Sequence, residues 1–230
     1  MKMWSGRFAE QNAKEVDIFN NSLHFDKVLY KYDIKGSIAH VKMLSKQGII
    51  TKEDEIKLVE ALENLMKDID DGKVTFNEEY EDIHMAVESI LTDRIGDSAK
   101  RIHTCRSRND QVALDMKMYV KAEIMEVMGL VKNLIFTLLE IAKDNTKTIM
   151  PGYTHMQRAQ TVTFAHHLCA YVEMFRRDMD RLKDTYKRTN VMPLGAGALA
   201  CSTFDIDRDY VASLLDFDSI TLNSLDTVSD

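Results

Sequence analysis

The chain has 230 residues, a formal net charge of −7 and an isoelectric point near 5.5. This acidic balance argues against a general nucleic-acid binder or a binder of anionic membranes, and no charge-free run of about 18 apolar residues predicts a membrane span. With only two prolines and nine glycines over this length, the composition favours long helices over a β protein with many turns.

Three stretches with helical character come first in chain order. Apolar residues recur at three and four positions over residues 26–47, which predicts an amphipathic helix. Thr51 opens a second helix, because Asp54 stands three residues later in the spacing of a capping box. A third helix is expected over residues 80–95, with acidic residues at its start that suit the helix dipole.

Two much longer helices are predicted beyond residue 105. The first runs from about Asp110 to Lys143 and is apolar around most of its circumference, which is typical of a helix inside a bundle or a subunit interface. The second runs from about Val162 to Lys187. We therefore expect an all-α fold in which a small helical N-terminal domain, residues 1–105, precedes the first part of a central helical bundle, residues 106–230.

The segment His103–Gln111 stands at the mouth of the first long helix. It belongs to a cation-rich loop without acidic residues between Asp97 and Asp110, and its two arginines are Arg106 and Arg108. Arginine binds carboxylates and phosphates through two parallel hydrogen bonds, and the start of a helix offers free N–H groups. The pattern predicts a pocket for a small anion.

A second polar loop precedes the other long helix and contains Thr154, His155 and Gln157. On its own, His155 is as consistent with a structural role as with a catalytic one. A histidine close to cationic groups that bind a carboxylate suits an elimination, in which a base takes a carbon-bound proton and the carboxylate absorbs the charge.

Other common site types lack support in the sequence. No metal-binding H-E-x-x-H or C-x-x-C motif and no phosphate-binding Walker loop occurs, so we expect neither a metal nor a nucleotide cofactor. The Gly195–Gly197 pair follows no predicted strand, which argues against a dinucleotide site. Cys105, Cys169 and Cys201 are widely spaced and are typical of reduced thiols in a cytosolic protein.

Taken together, these motifs resemble the argininosuccinate lyase family of the fumarase/aspartase superfamily. The strings S-R-N-D-Q and G-Y-T-H-x-Q-R-A-Q are specific to that family when they occur together. The matching stretches span the whole chain in family order: Trp4 to Phe8, Phe19 to Ser22 with Phe25 and Asp26, Glu81 to His84, His103 to Gln111, Pro151 to Gln160, Leu194 to Ala200 with Phe204, and Leu222 to Asp226.

The resemblance implies an all-helical cytoplasmic homotetramer whose active sites form where three subunits meet. The implied reaction is the reversible, cofactor-free cleavage of argininosuccinate to arginine and fumarate, in arginine biosynthesis. Carried over by motif, Ser22, Asn109 and Thr154 contact substrate, and Ser107 and Arg108 hold carboxylate groups. His155 matches the catalytic histidine, acting either as proton donor or by orienting another group.

The chain departs from the family pattern at two positions. Cys105 stands where glycine is usual, and Thr161 stands where proline is usual. The family's G-S-S-x-M-P loop, which carries the serine taken as catalytic base, is absent from the sequence, so the isolated chain is expected to be inactive. Alternatives are another lyase of the superfamily, acting on adenylosuccinate or aspartate, and a non-catalytic, crystallin-like structural protein.

Overall fold

A computed structural model describes residues 14–76 and 80–230 and confirms the all-α fold class. The predicted match at Trp4 to Phe8 lies outside the described residues. The helices are Lys14–Asn20 (α1), Leu23–Asp26 (α2), Tyr30–Lys46 (α3), Lys52–Asp70 (α4), Ile83–Ile95 (α5), Arg108–Asp144 (α6), Phe164–Thr189 (α7), Arg208–Leu214 (α8) and Ser224–Thr227 (α9). The strands are Ile149–Thr154 (β1), Gln157–Thr163 (β2), Val191–Met192 (β3) and Ser219–Ile220 (β4), and 3-10 turns cover Lys27–Leu29 and Gly96–His103.

The chain divides into two compact units. Unit 1 contains the described residues up to Met116 together with Met192–Asp230, and unit 2 is Lys117–Val191. These units are not the domains expected from the sequence, whose boundary at residues 105 and 106 stays a prediction.

Helices α3, α4 and α5 pack on one another to form the core of unit 1. Their helical periodicity directs apolar side chains inward, so that Ile34, Leu58 and Leu91 are fully buried. Burial of one such side chain stabilises the fold by about 1.5 to 3 kcal/mol. This packed core gives the polar residues at the helix ends a fixed frame.

Side-chain caps determine where two of these helices begin. The Thr51 hydroxyl accepts a hydrogen bond from the Asp54 backbone at 3.1 Å, which confirms the predicted start of α4. Asp82 caps α5 by accepting from the Met85 backbone at 2.6 Å. Helix α5 therefore begins at Ile83, three residues later than the sequence predicted, because the capping residue itself has extended backbone.

Unit 2 contains a β-hairpin that the sequence did not predict. Strands β1 and β2 pair antiparallel, with Ile149 opposite Thr163 and Thr154 opposite Gln157. The expectation of a polar loop followed by a helix from Val162 is wrong here, because these residues form β2 and Thr163 caps α7 by accepting from His166 N at 3.1 Å. The β-branched residues near the end of β2 favour a strand.

The long helices α6 and α7 leave large apolar side chains exposed. Helix α6 has 37 residues and is about 55 Å long. Its end packs against the start of α7 through Ala142, Ala165 and Leu168. Elsewhere the exposed apolar residues on these helices include Met125, Leu130, Leu134, Phe136, Ile141, Tyr171 and Met174. Among the described residues, no helix combines the length and apolar character that crossing a membrane requires.

Candidate functional site

The first turn of α6 presents three of the predicted site residues. Two hydrogen bonds cap this turn: Ser107 N donates to Asp110 Oδ1 at 2.9 Å, and the Ser107 hydroxyl accepts from Asn109 N at 3.2 Å. This cap fixes the backbone of Ser107, Arg108 and Asn109 at a helix N-terminus, where the helix dipole favours an anion. The S-x-x-D spacing was a signal for this cap, and the sequence reasoning missed it.

Arg108 lies between the start of α6 and the start of α5. Its Nε is 3.4 Å from Asp82 Oδ2, and its Nη1 donates to Gln111 Oε1 at 3.0 Å. The side chain is 28% exposed. A guanidinium that is held at two points and still reaches the surface is suited to bind a carboxylate.

Ser22 also contacts the residues that precede α5. Its backbone N–H donates to Glu81 O at 2.9 Å, and its hydroxyl donates to Asp26 Oδ2 at 2.6 Å. Burial raises the pKa of Asp26, although the hydrogen bond from Ser22 opposes that shift. The structure therefore brings Ser22 and Arg108 to adjacent residues, Glu81 and Asp82.

The cations predicted to form one anion pocket are dispersed. Arg106 is buried, and its Nη1 donates to the Ser37 hydroxyl at 2.9 Å. Lys100 pairs with the exposed Asp97 at 2.7 Å, and Arg101 pairs with Asp54. The expectation that Arg106 and Arg108 act as a pair on a ligand is wrong for Arg106, because its guanidinium is taken up by partners inside unit 1.

Arg106 belongs to a buried polar network that also contains two carboxyl groups and a histidine. His84 Nδ1 lies 2.9 Å from Asp33 Oδ1 and 3.3 Å from Asp115 Oδ2, and Gln111 donates to Asp33. Asp33, His84 and Asp115 are the described residues that could together hold a metal ion, since one donor atom from each lies within 4.8 Å of the others. The hydrogen-bond distance between His84 and Asp33, together with the nearby Arg106 guanidinium, fits a hydrogen-bonded network better than a metal site, because the guanidinium charge would repel a cation.

The pKa values of the two carboxyl groups in this network are shifted in opposite directions. Burial alone would raise the pKa of Asp33, but the charge and hydrogen bond of His84, with Arg106 and Gln111, lower it. Burial and the neighbouring Asp33 charge raise the pKa of Asp115 well above its ordinary value. The surroundings therefore favour the ionised form of Asp33 and the protonated form of Asp115.

The loop at Gly195 and Gly197 packs directly on the start of α6. Both backbone N–H groups donate to Asp110 Oδ2, at 2.9 and 2.8 Å. The Asn109 side-chain amide donates to Ala198 O at 2.9 Å. The sequence argues against a dinucleotide role for these glycines, but it does not predict that their backbone amides bind the Asp110 carboxylate.

Thr154 and His155 lie in unit 2, at the turn of the β1–β2 hairpin, and both are exposed. The two turn residues, His155 and Met156, have positive φ angles of 49° and 60°. Such angles are uncommon outside glycine and asparagine, and non-glycine residues that adopt them occur often at functional sites. The exposed imidazole is accessible to a ligand or to another polypeptide.

Cys105, which replaces the expected glycine, has a φ angle of 61°. Glycine adopts this left-handed conformation without a steric penalty, whereas a residue with a side chain pays one. The thiol is partly buried and free, and burial raises its pKa. Cysteine in place of glycine at this position therefore introduces backbone strain next to Arg106.

Comparison with known proteins adds the family context. The family described as "Lyase" matches residues 6–230. Argininosuccinate lyase from Acetivibrio thermocellus is 59% identical and that from Desulforamulus reducens is 56% identical, each over 230 residues that make up the whole of this chain. The chain spans about half the length of these curated relatives, namely 50% of each.

Solved structures share the same architecture. A variant of EDDS lyase with bound fumarate superposes with a TM-score of 0.80 at 28% identity, over 96% of this chain and 44% of that one. The fumarate lyase:delta crystallin from Brucella melitensis, bound to cobalt, gives a TM-score of 0.74 over 97% of this chain and 52% of that one. At 14% identity, the second comparison concerns the fold alone.

Proposed function

The chain belongs to this lyase family, and we propose that it supplies the substrate-binding part of an enzyme that reversibly cleaves argininosuccinate to arginine and fumarate. The observation that carries the proposal is the first turn of α6, where a capped helix N-terminus and the partly exposed Arg108 guanidinium stand together. This arrangement suits a carboxylate group. The relatives that match the whole chain at 56% and 59% identity bear the name of this activity.

The proposed chemistry is an elimination that breaks a carbon–nitrogen bond. A base removes a proton from the carbon next to a carboxylate, negative charge develops on that carboxylate, and the nitrogen leaves with the arginine portion. Arg108 and the N–H groups at the start of α6 stabilise the developing negative charge. Such stabilisation by fixed dipoles and cations is usually the largest single contribution to lowering the barrier of a reaction of this kind. Ser107, Asn109, Ser22 and Thr154 are proposed to contact the substrate.

His155 is proposed as the catalytic histidine of this part of the protein. Its exposed imidazole can donate a proton to the leaving nitrogen or orient another charged group. The chain contains no G-S-S-x-M-P string, and we propose that the base belongs to the remainder of a longer protein. On this proposal the isolated chain binds substrate weakly and does not turn it over, and the reaction needs no cofactor.

We also propose that the complete protein is a cytoplasmic homotetramer built around its long helices. The support is the run of exposed apolar side chains on α6, such as Leu130 and Phe136, at 61% and 55% exposure. Large exposed apolar surfaces mark protein interfaces, and a long helix that is apolar on several sides is typical of a bundle.

A substrate panel on the full-length protein tests the proposed activity. Argininosuccinate, adenylosuccinate and aspartate are offered separately, and fumarate formation is followed by its ultraviolet absorbance. The proposal requires a clear preference for argininosuccinate. Preference for either other substrate would assign the chain to a different lyase of the superfamily, and absence of all three activities in a folded protein would favour the crystallin-like alternative.

A further inference from the structure

We propose that Asp110 is a positioning residue that joins the start of α6 to the loop of residues 193–198 and thereby fixes the orientation of the Asn109 side-chain amide. This inference deepens the proposed function and rests on it where it concerns turnover. Asp110 does not reach solvent and is no candidate for direct contact with substrate, since its side chain is fully buried.

The Asp110 carboxylate uses both oxygens on backbone N–H groups. Oδ1 accepts from Ser107, three residues earlier, and Oδ2 accepts from Gly195 and Gly197, at 2.9 and 2.8 Å. A buried carboxylate with three such donors is held firmly, and each donor would be left unsatisfied in the interior if the carboxylate were lost. The contact to the glycines is thus a specific link between two segments 85 residues apart.

The same loop is held from its other side by Arg208. The guanidinium donates from Nε to Leu194 O at 2.8 Å and from Nη1 to Thr221 O at 3.0 Å. Asp110 therefore binds two of the loop's N–H groups, while Arg208 binds two of its carbonyl groups, those of Leu194 and, at 3.4 Å, of Pro193. The packing is close, because a Cβ added at Gly195 would lie 2.9 Å from the Arg208 side chain and one at Gly197 would lie 2.6 Å from Cys201 O.

The consequence for the site lies one residue further along the loop. Ala198 presents its carbonyl oxygen to Asn109 Nδ2 at 2.9 Å, and Asn109 is otherwise exposed. A carbonyl accepts only from the N–H side of an amide, so this contact fixes which end of the Asn109 amide is Nδ2. Oδ1 and the second N–H are then left for a ligand, in a fixed direction. Without the loop the amide can rotate and present either end.

The test is a double-mutant cycle in the full-length protein with argininosuccinate as substrate. Asp110→Asn keeps the size of the side chain but places an amide N–H against backbone donors. If Asp110 acts through Asn109, this substitution lowers kcat/KM by about 10-fold to 100-fold in the wild-type background. In an Asn109→Ala background it lowers kcat/KM by less than about threefold, because the group it positions is already gone.

Equal losses in the two backgrounds would overturn the proposal, since they would mean that Asp110 contributes independently of Asn109. Asp207→Asn is the matched control: Asp207 also accepts a backbone N–H, from Tyr210 at 2.9 Å, but has no contact with Asn109. It is expected to leave kcat/KM unchanged. If Asp110→Asn does not fold, Gly195→Ala replaces it in the cycle, because the added Cβ displaces the same loop without altering the carboxylate.

A second arm does not depend on catalysis. Hydrogen exchange of the Gly195 and Gly197 amides in the full-length protein is measured by mass spectrometry of the peptide that contains them. Exchange faster in Asp110→Asn than in wild type and in Asp207→Asn supports the link, and unchanged exchange would overturn it. Should the wild-type protein release no fumarate, the proposed activity fails while the exchange result still decides whether Asp110 holds the loop.

Discussion

The two carboxyl groups beside Arg106 should respond in opposite ways to replacement by asparagine. Burial and the Asp33 charge raise the pKa of Asp115 well above its ordinary value, which favours its protonated form in the folded protein. Asparagine is neutral, of similar shape, and can donate the same hydrogen bond to Asp33. Asp33 is ionised and faces His84 and Arg106, so that its replacement removes the charge that compensates a buried guanidinium.

The expected changes in the free energy of unfolding follow from the shifted pKa values of the two buried groups. A carboxyl group whose folded pKa is raised contributes stability that is complete below its ordinary pKa and is lost as pH rises towards the folded value. This loss amounts to about 1.4 kcal/mol per pH unit. Asp115→Asn cannot ionise, so its stability should equal or exceed that of wild type, and the advantage should grow as pH rises above about 4.

Asp33→Asn should cost about 2 to 3 kcal/mol at neutral pH. Loss of one partner of a buried charged pair typically costs about 3 to 5 kcal/mol, and ionisation of Asp115 in its place recovers part of that. Because the folded pKa of Asp33 is lowered, its contribution is present above the ordinary pKa and disappears as pH falls through the folded value. The gap between Asp33→Asn and wild type should therefore narrow in acid.

Urea unfolding of the full-length protein, followed by circular dichroism at one protein concentration, measures these differences in the free energy of unfolding. The two variants are compared with wild type at several pH values between about 2 and 8, which covers the range in which the contribution of Asp33 is lost. A loss in Asp115→Asn as large as that in Asp33→Asn at neutral pH would refute the protonation assignment. So would a difference between Asp115→Asn and wild type that does not change with pH.

Three further predictions concern single positions. Cys105→Gly should raise the free energy of unfolding by up to about 1 kcal/mol, and with it the melting temperature, because it removes the steric strain of a side chain at a φ of 61°. A lower melting temperature would contradict this. Thr163→Ala should destabilise the protein by about 1 kcal/mol in urea unfolding through loss of the α7 cap, while Thr163→Ser should be nearly neutral; equal losses would argue against the cap. Arg108→Ala should lower kcat/KM for argininosuccinate by about 100-fold or more, and Arg108→Lys should recover only part of it; near-normal kinetics of the alanine variant would exclude the carboxylate role.

The elements that sequence reasoning located well are those specified by local spacing. The cap at Thr51 and the long α6 helix follow from side chains three and four residues apart. The β1–β2 hairpin could not be predicted in this way, because its turn residues His155 and Met156 are not the glycine or asparagine that usually mark such a turn.

Within the site, contacts between distant segments could not be predicted from one sequence. The burial of Arg106 depends on Ser37 and on carboxyl groups carried by α3 and α6. The use of the Gly195 amide depends on Asp110, far away in the chain. In both cases the sequence shows the residue itself, but only the packed fold specifies its partner.

We propose that this chain carries the carboxylate-binding part of an argininosuccinate-cleaving lyase and that turnover requires the rest of a longer protein. The test measures the release of fumarate and arginine from argininosuccinate by the full-length protein, by the 230-residue chain alone and by the same chain with His155→Ala. We expect equimolar products from the full-length protein and no release by the chain above the level of the His155→Ala control. Turnover by the isolated chain above that control, or no turnover by a folded full-length protein, would contradict it.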